Sequence, residues 1–294
     1  MRAIQVTEFG GPEVLSLVEV PRPTPISTEV LVEVHAAGVN PVDWKTRRGS
    51  GVSGWAGSPP FGIGWDVAGV VVDSGYGVTT FAPGDRVFGM PWFPRVAGAY
   101  SEFVAAPSRQ FARMPEGMAF EEAAALPLAS LTAWQALVDT ANVAAGTSVL
   151  VHGASGGVGH LAVQIAEARG ASVIATGRAA PVQDVDREVD VVLDLVGGEE
   201  TRATLGAIRD GGLLVAIATG SDDETKADAD KRAIRVADLL VEPDGHALGE
   251  IAALVNEGRL KVRLARTFPL EEAARAHESL EAGGVHGKIV LRVK

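Results

Sequence analysis

From Met1 to about Arg113, apolar residues come in short runs that alternate with polar ones (AIQV, VLVEV, VAGVVV, SEFVAA), broken by turns such as PRPTP and FAPGDRV. Period-two alternation bounded by proline and glycine predicts half-buried strands, so this region reads as all-β. After Met114-Pro115 the pattern becomes AFEEAAALPLASLTAWQALVDTA, with alanine and leucine at helical spacing. Strand-like and helix-like segments then alternate. SVLVHG is followed by the helix HLAVQIAEARG, stopped at Gly170, and then by the strands SVIATG, VDVVLDLVGG, GGLLVAIAT and AIRVADLLVE. Helices are expected at about residues 200–208 and 247–257. This order predicts a parallel, doubly wound α/β sheet. SDDETKADADKR (Ser221 to Arg232) reads as a solvated surface connection. FPLEEAARAHESLEAGGVHGKIVLRV reads as one amphipathic helix closed by Gly283-Gly284, then a strand returning to the N-terminal region. The expected domains are 1–117 with 262–294, and 118–261.

One interval is unusually short. Only eleven residues, Arg178 to Glu188, separate SVIATG from VDVVLDLVGG, where a dinucleotide-binding fold ordinarily has a helix and a third strand. At up to ~3.5 Å per residue they span roughly 35 Å, enough for a direct link past a neighbouring strand. The expected sheet therefore lacks strand three and its helix, has the order 2-1-4-5-6, and carries SVIAT at an edge. The adenosine end of a bound dinucleotide would be more exposed.

The loop after SVLVH is Gly153-Ala154-Ser155-Gly156-Gly157-Val158-Gly159, leading into a helix. Glycines there permit a tight turn and close approach to a pyrophosphate, and the helix N-terminus presents free N–H groups to it. Against the G-x-G-x-x-G fingerprint, Ala154 replaces the first glycine, while Gly156 and Gly159 keep the other two places. The second strand ends in Thr176-Gly177-Arg178, with no carboxylate for a ribose 2′-hydroxyl and one guanidinium suited to a 2′-phosphate. NADPH is expected over NADH. The cofactor set read from this region is Ala154, Ser155, Gly156, Gly157, Val158, Gly177 and Arg178, with Val196 beyond the fourth strand.

Composition narrows the function. The 294 residues are 47% hydrophobic, enough for two moderate domains, and the net charge of −11 argues against a phosphate-neutralising surface, so no nucleic acid partner is expected. The absence of cysteine removes disulfides, thiolate zinc sites and a cysteine nucleophile. No leader pattern or membrane-length apolar run is read, and a soluble cytoplasmic protein is expected.

The stretches AAGVNPVDWKTRRG, GWDVAGVV, FAPGDRVFG, GAYSEFV, ALPLASLTAWQAL, VHGASGGVGHLAVQIA and GKIVL, in this order, resemble the medium-chain dehydrogenase/reductase superfamily, specifically its zinc-free quinone oxidoreductase (zeta-crystallin-like) branch. The resemblance implies a GroES-like β domain beside a Rossmann domain, with the active cleft between them. Where zinc-dependent relatives place a cysteine and a His-Glu pair, this chain has Asn40 and Trp65-Asp66, so no zinc is expected. The resemblance places Asn40 near the nicotinamide and Lys45 where some quinone reductases carry tyrosine. Thr132 and Lys288 would contact the cofactor. Without a Lewis acid, rate acceleration rests on positioning hydride donor against acceptor, which suits a quinone.

Other readings stay open. The same cleft would serve reduction of an activated C=C bond in an enone or enoyl thioester, and a non-catalytic NADPH-binding structural or regulatory protein is the alternative of another class. Asn40 would also serve to shape the turn before Pro41, with Asp43 capping the next segment. Lys45 and Arg178 have an alternative reading as solvated loop residues. Trp44, Trp55, Trp65, Trp92 and Phe93 would make either a flat acceptor wall or loop packing. The six histidines show no ligand spacing. The family resemblance implies a homodimer joined through AIRVADLLVE.

Overall fold

The computed structural model describes residues 1–177, 180–182, 185–186, 188–217 and 220–294. The chain forms two compact units: Met1–Leu131 with Glu242–Gly258 and Val262–Lys294, and Thr132–Val241 with Arg259–Lys261.

In the first unit the strands are β1 (Arg2–Val6), β2 (Leu15–Glu19), β3 (Glu29–Val39), β4 (Phe61–Gly62), β5 (Asp66–Ser74), β6 (Arg86–Gly89), β7 (Phe103–Pro107) and β8 (Phe111–Arg113). Its helices before the unit boundary are α1 (Pro41–Arg47), α2 (Ser53–Ala56) and α3 (Phe120–Ala124); α4 (Pro127–Trp134) runs into the second unit. Eleven-residue β3 is buried along most of its length, and β5 and β7 pair with it antiparallel. Its end delivers the chain directly into Asn40 and α1.

The second unit holds β9 (Ser148–His152), α5 (Gly159–Ala168), β10 (Ser172–Thr176), β11 (Val189–Asp194), α6 (Glu199–Thr204), β12 (Ile208–Ala216), α7 (Asp223–Asp230) and β13 (Arg235–Asp238). All pairings are parallel in the order β10-β9-β11-β12-β13, with β10, the SVIAT segment, at one edge. Among the described residues no strand intervenes between β10 and β11. Gly177 and Ala180 exchange backbone hydrogen bonds of 2.9 and 3.0 Å. Val182 is buried against a cluster containing Leu150, Val192, Leu214 and Ile234, and Val185 packs beside it. The short connection thus supplies apolar cover to the sheet face, a role for which its two valines are suited.

The chain then forms α8 (Gly245–Asn256), β14 (Leu264–Pro269), α9 (Ala273–Glu281) and β15 (Lys288–Arg292), all in the first unit. β15 pairs antiparallel with the end of β3.

The expected surface connection at Ser221–Arg232 is instead largely helix α7. Asp222 caps it by accepting the Thr225 N–H at 2.7 Å, and Thr225 and Ala229 are buried on its inner face. Sparse apolar content masked this local capping signal. AIRVADLLVE contributes only the four residues of β13 as strand.

Candidate functional site

In the second unit, β9 leads into the glycine loop because Gly153 adopts φ +90°, the left-handed region that favours glycine. A Cβ on Gly159 would lie 2.6 Å from Ala154 Cα and closer still to the Gly153 carbonyl. The loop can fold tightly over the start of α5 only with glycine there. Thr176 O accepts the N–H groups of Gly153 and Ala154 at 3.0 and 3.1 Å, tying the end of β10 to the loop. Below it, buried His152 bridges Thr176 Oγ1 through Nδ1 (3.1 Å) and Glu200 through Nε2 (3.1 Å).

Ala154, Ser155, Gly156, Gly157 and Val158 thus form one small-residue turn at a helix N-terminus, where the first N–H groups have no intrahelical partner. Gly156 N–H bonds back to Gly153 O at 3.1 Å. Val196, 41% exposed, borders the loop, since a Cβ on Gly153 would meet its Cγ2 at 3.3 Å. Gly177 follows the strand end that anchors the loop. Arg178 lies outside the described residues. Thr132 is buried in α4. This side-chain-poor cradle fits the pyrophosphate of a dinucleotide.

The first unit concentrates buried charge around the start of α1. Asn40, 1% exposed, is its N-cap, and the Asp43 carboxylate accepts the Asn40 backbone N–H at 2.6 Å. The Asn40 carboxamide is held at both ends: Nδ2 donates to Asp66 Oδ2 at 2.8 Å, and Lys288 Nζ donates to Oδ1. Asp66 also accepts the Leu128 N–H at 2.7 Å, and its carboxylate lies 3.6 Å from the Lys288 ammonium. Gly38 makes room for this arrangement, because a Cβ there would lie 2.6 Å from Asp66 Oδ2. Burial pushes the Asp66 carboxyl up and the Lys288 ammonium down, and their mutual attraction opposes both shifts.

Burial also pushes Asp43 up to about 7, although donors from Asn40 and Tyr100 hold it down. Tyr100 Oη donates to Asp43 Oδ2 at 2.7 Å and lies 3.3 Å from His277 Nε2; Arg47 Nη1 lies 3.2 Å from His277 Nδ1. All four side chains are fully buried, and burial, with Arg47 nearby, lowers His277 to about 3.

Asn40 and Lys288, chosen from separate motifs, are therefore direct partners. Lys45 sits on α1 with Nζ 5.9 Å from the Trp44 ring centroid. Trp65 and Phe93 make an edge-on contact at 5.4 Å, while Trp65 and Trp92 donate their indole N–H groups to Arg95 and Ala105 carbonyls, so these three serve loop packing. Trp55 is exposed. Asp66, Tyr100, Arg47 and His277 were missing from the sequence-derived site. The detectable signal was His277 lying among the alanines that form the buried stripe of α9. Among the described residues no group of three or more His, Cys, Asp or Glu side chains is placed to hold a metal.

Residues 27–116 match the alcohol dehydrogenase GroES-like domain, and residues 169–291 match a family described as zinc-binding dehydrogenase. The chain is 35% identical to a quinone oxidoreductase of Mus musculus, covering 99% of this chain and 97% of that protein. That alignment runs over 329 positions, more than the 294 residues here, so the mouse protein carries insertions relative to this chain. A quinone oxidoreductase structure from Coxiella burnetii superposes with TM-score 0.91 at 35% identity, covering 100% and 99% of the two chains. A mycobacterial structure complexed with NADPH gives 0.87 at 30%, with full coverage of both. The CurK enoyl reductase gives 0.89 at 26%, covering 100% and 99%. With its GroES-like and Rossmann-like folds, the chain is an oxidoreductase belonging to the zinc-free quinone oxidoreductase branch of the medium-chain dehydrogenase/reductase superfamily.

Proposed function

We propose that this protein transfers hydride from NADPH to a quinone without zinc. The observation that carries the reading is the glycine cradle, closed by the contact of Gly159 with Gly153 and Ala154, in a chain similar throughout to quinone oxidoreductases. Backbone N–H groups of Ser155, Gly157 and Val158 hold the pyrophosphate, Gly156 gives it room to approach while its own N–H ties the turn to Gly153 O, and Ala154 and Val196 flank it. Gly177 and Arg178 receive the ribose 2′-phosphate. Thr132 serves the nicotinamide side, Lys288 reaches the cofactor, Asn40 stands near the nicotinamide as a polar contact, and Lys45 serves the acceptor side.

The dinucleotide, when bound, supplies the hydride. The protein's own residues hold donor and acceptor in register and limit water. Asn40 is suited to this, since Asp66 and Lys288 fix its carboxamide before any ligand arrives. Such preorganisation removes a reorganisation cost from the transfer step. The protein is further proposed to act in the cytoplasm as a homodimer, extending its nucleotide-binding sheet through the edge strand β13.

Nicotinamide fluorescence titrations with NADPH and NADH, repeated on Arg178→Ala, test the cofactor assignment. NADPH should bind at least tenfold more tightly (~1.4 kcal/mol), and the substitution should abolish that preference. Equal binding of the two nucleotides by the unaltered protein would overturn it. Turnover of NADPH with 1,4-naphthoquinone supports the quinone reading. The similarity to an enoyl reductase favours a second reading, which turnover with an enone but no quinone would select. Tight NADPH binding without oxidation by either acceptor would select a non-catalytic role.

A further inference from the structure

The buried chain beneath Asn40 has a defined direction. A guanidinium only donates, so Arg47 fixes His277 Nδ1 as acceptor and leaves the hydrogen on Nε2. His277 then donates to the Tyr100 oxygen, freeing the Tyr100 hydroxyl to donate to Asp43 Oδ2. The same Asp43 oxygen accepts the Asn40 backbone N–H. At the far end, Arg47 pairs with Glu281 of α9 and donates to the Gly10 carbonyl at 3.1 Å. Four parts of the sequence, at Gly10, α1, Tyr100 and α9, thus meet in one chain that runs from Arg47 at the last turn of α1 to Asp43 in its first.

We propose that Tyr100 and His277 are positioning residues for the reductase: the directed chain Arg47, His277, Tyr100, Asp43 sets the first turn of α1 and so the pose in which Asn40 is presented. The inference rests on the proposed role of Asn40 in hydride transfer. The Asp43 carboxylate is the receiving end, and its second oxygen, Oδ1, has no partner among the described residues. Its two hydrogen-bond donors therefore both fall on one oxygen, and they stabilise the carboxylate more than the charge of Lys288 does. Other charged groups in its surroundings are Asp66 of β5 and Lys288 of β15, with Arg47 of α1 and Glu281 of α9 at the distal end. Removing the Tyr100 hydroxyl leaves one donor, disfavours the carboxylate and loosens the cap on which Asn40 sits.

The test measures single-turnover hydride transfer from NADPH to 1,4-naphthoquinone across pH in the intact protein, Tyr100→Phe, His277→Gln and His277→Leu. The Asn40 backbone N–H is followed by NMR in parallel. Glutamine can still accept from Arg47 and donate to Tyr100, whereas leucine can do neither. Tyr100→Phe and His277→Leu should slow transfer about tenfold, leave the NADPH Kd within about twofold, and move the acidic limb of the profile upward by about one pH unit. His277→Gln should restore most of the rate. Variants that lose only thermal stability, with rate and limb unchanged, would overturn the proposal. If the intact protein transfers no hydride, the reductase reading fails on its own account. The chain is then decided by the Asn40 resonance, which should titrate in the intact protein and shift its midpoint upward in Tyr100→Phe; identical titrations would overturn it.

Discussion

Gly159 packs so closely under Ala154 that a Cβ at position 159 would stand 2.6 Å from Ala154 Cα, with the Gly153 carbonyl nearer still. Those contacts are backbone, so no side-chain rotation relieves the clash. Gly159→Ala should open the loop, cost roughly 1–3 kcal/mol in denaturant unfolding and weaken NADPH at least tenfold. Unchanged affinity in a folded variant would remove the loop from the cofactor site.

Lys288 is buried with its ammonium between Asn40 and Asp66. Lys288→Met deletes the cation and leaves the Asp66 carboxylate without its countercharge. The expected loss is about 3–5 kcal/mol by urea denaturation, with most of it regained when Asp66→Asn is added. Equal destabilisation in the single and double variants would show that lost packing, not unpaired charge, is the cause.

Asp43 and His277 pull stability in opposite directions with pH. Asp43 rises from 3.8 to about 7 on folding, so between those values the native state holds more protons and its contribution falls as pH rises. His277 drops from 6.5 to about 3, so the unfolded chain holds more protons there and its contribution rises with pH over that window. In the overlap the two offset each other. Relative to the unaltered protein, His277→Gln should lose stability as pH rises from about 3 to 6.5. Asp43→Asn should gain it between about 4 and 7. Parallel unfolding curves across pH would contradict both assignments.

Val182, in the chain segment linking β10 to β11, is buried in a cluster with Leu150 of β9, Val192 of β11 and Leu214 of β12. Val182→Ala should cost about 1–2 kcal/mol, from loss of two buried carbon groups at ~0.8 kcal/mol each. Val182→Asp should cost more, because it buries an unpaired carboxylate. Chemical denaturation of the two variants checks the order; a neutral Val182→Asp would show that the connection does not cover the core.

Periodicity and turn chemistry made the parallel sheet, the glycine loop and the family legible, because each is written in residues adjacent along the chain. SVLVH followed by Gly153 to Gly159 announces its strand, turn and helix without help from distant segments. The same local logic overlooked α7, where capping by Asp222 and burial of two small residues outweighed an acidic, polar composition. Asn40, Lys45, Thr132 and Lys288 were reached only through resemblance. Nothing near Asn40 in sequence reveals that its carboxamide is divided between Asp66, 26 residues away, and Lys288, 248 residues away. Arg47 and His277 are separated by 230 residues. Hydrogen bonds in a buried polar network depend on which elements converge after folding, and each group's protonation then depends on the water those elements exclude. The sequence by itself determined the sheet, the loop and the lineage; the tertiary structure alone decided which buried charges answer one another.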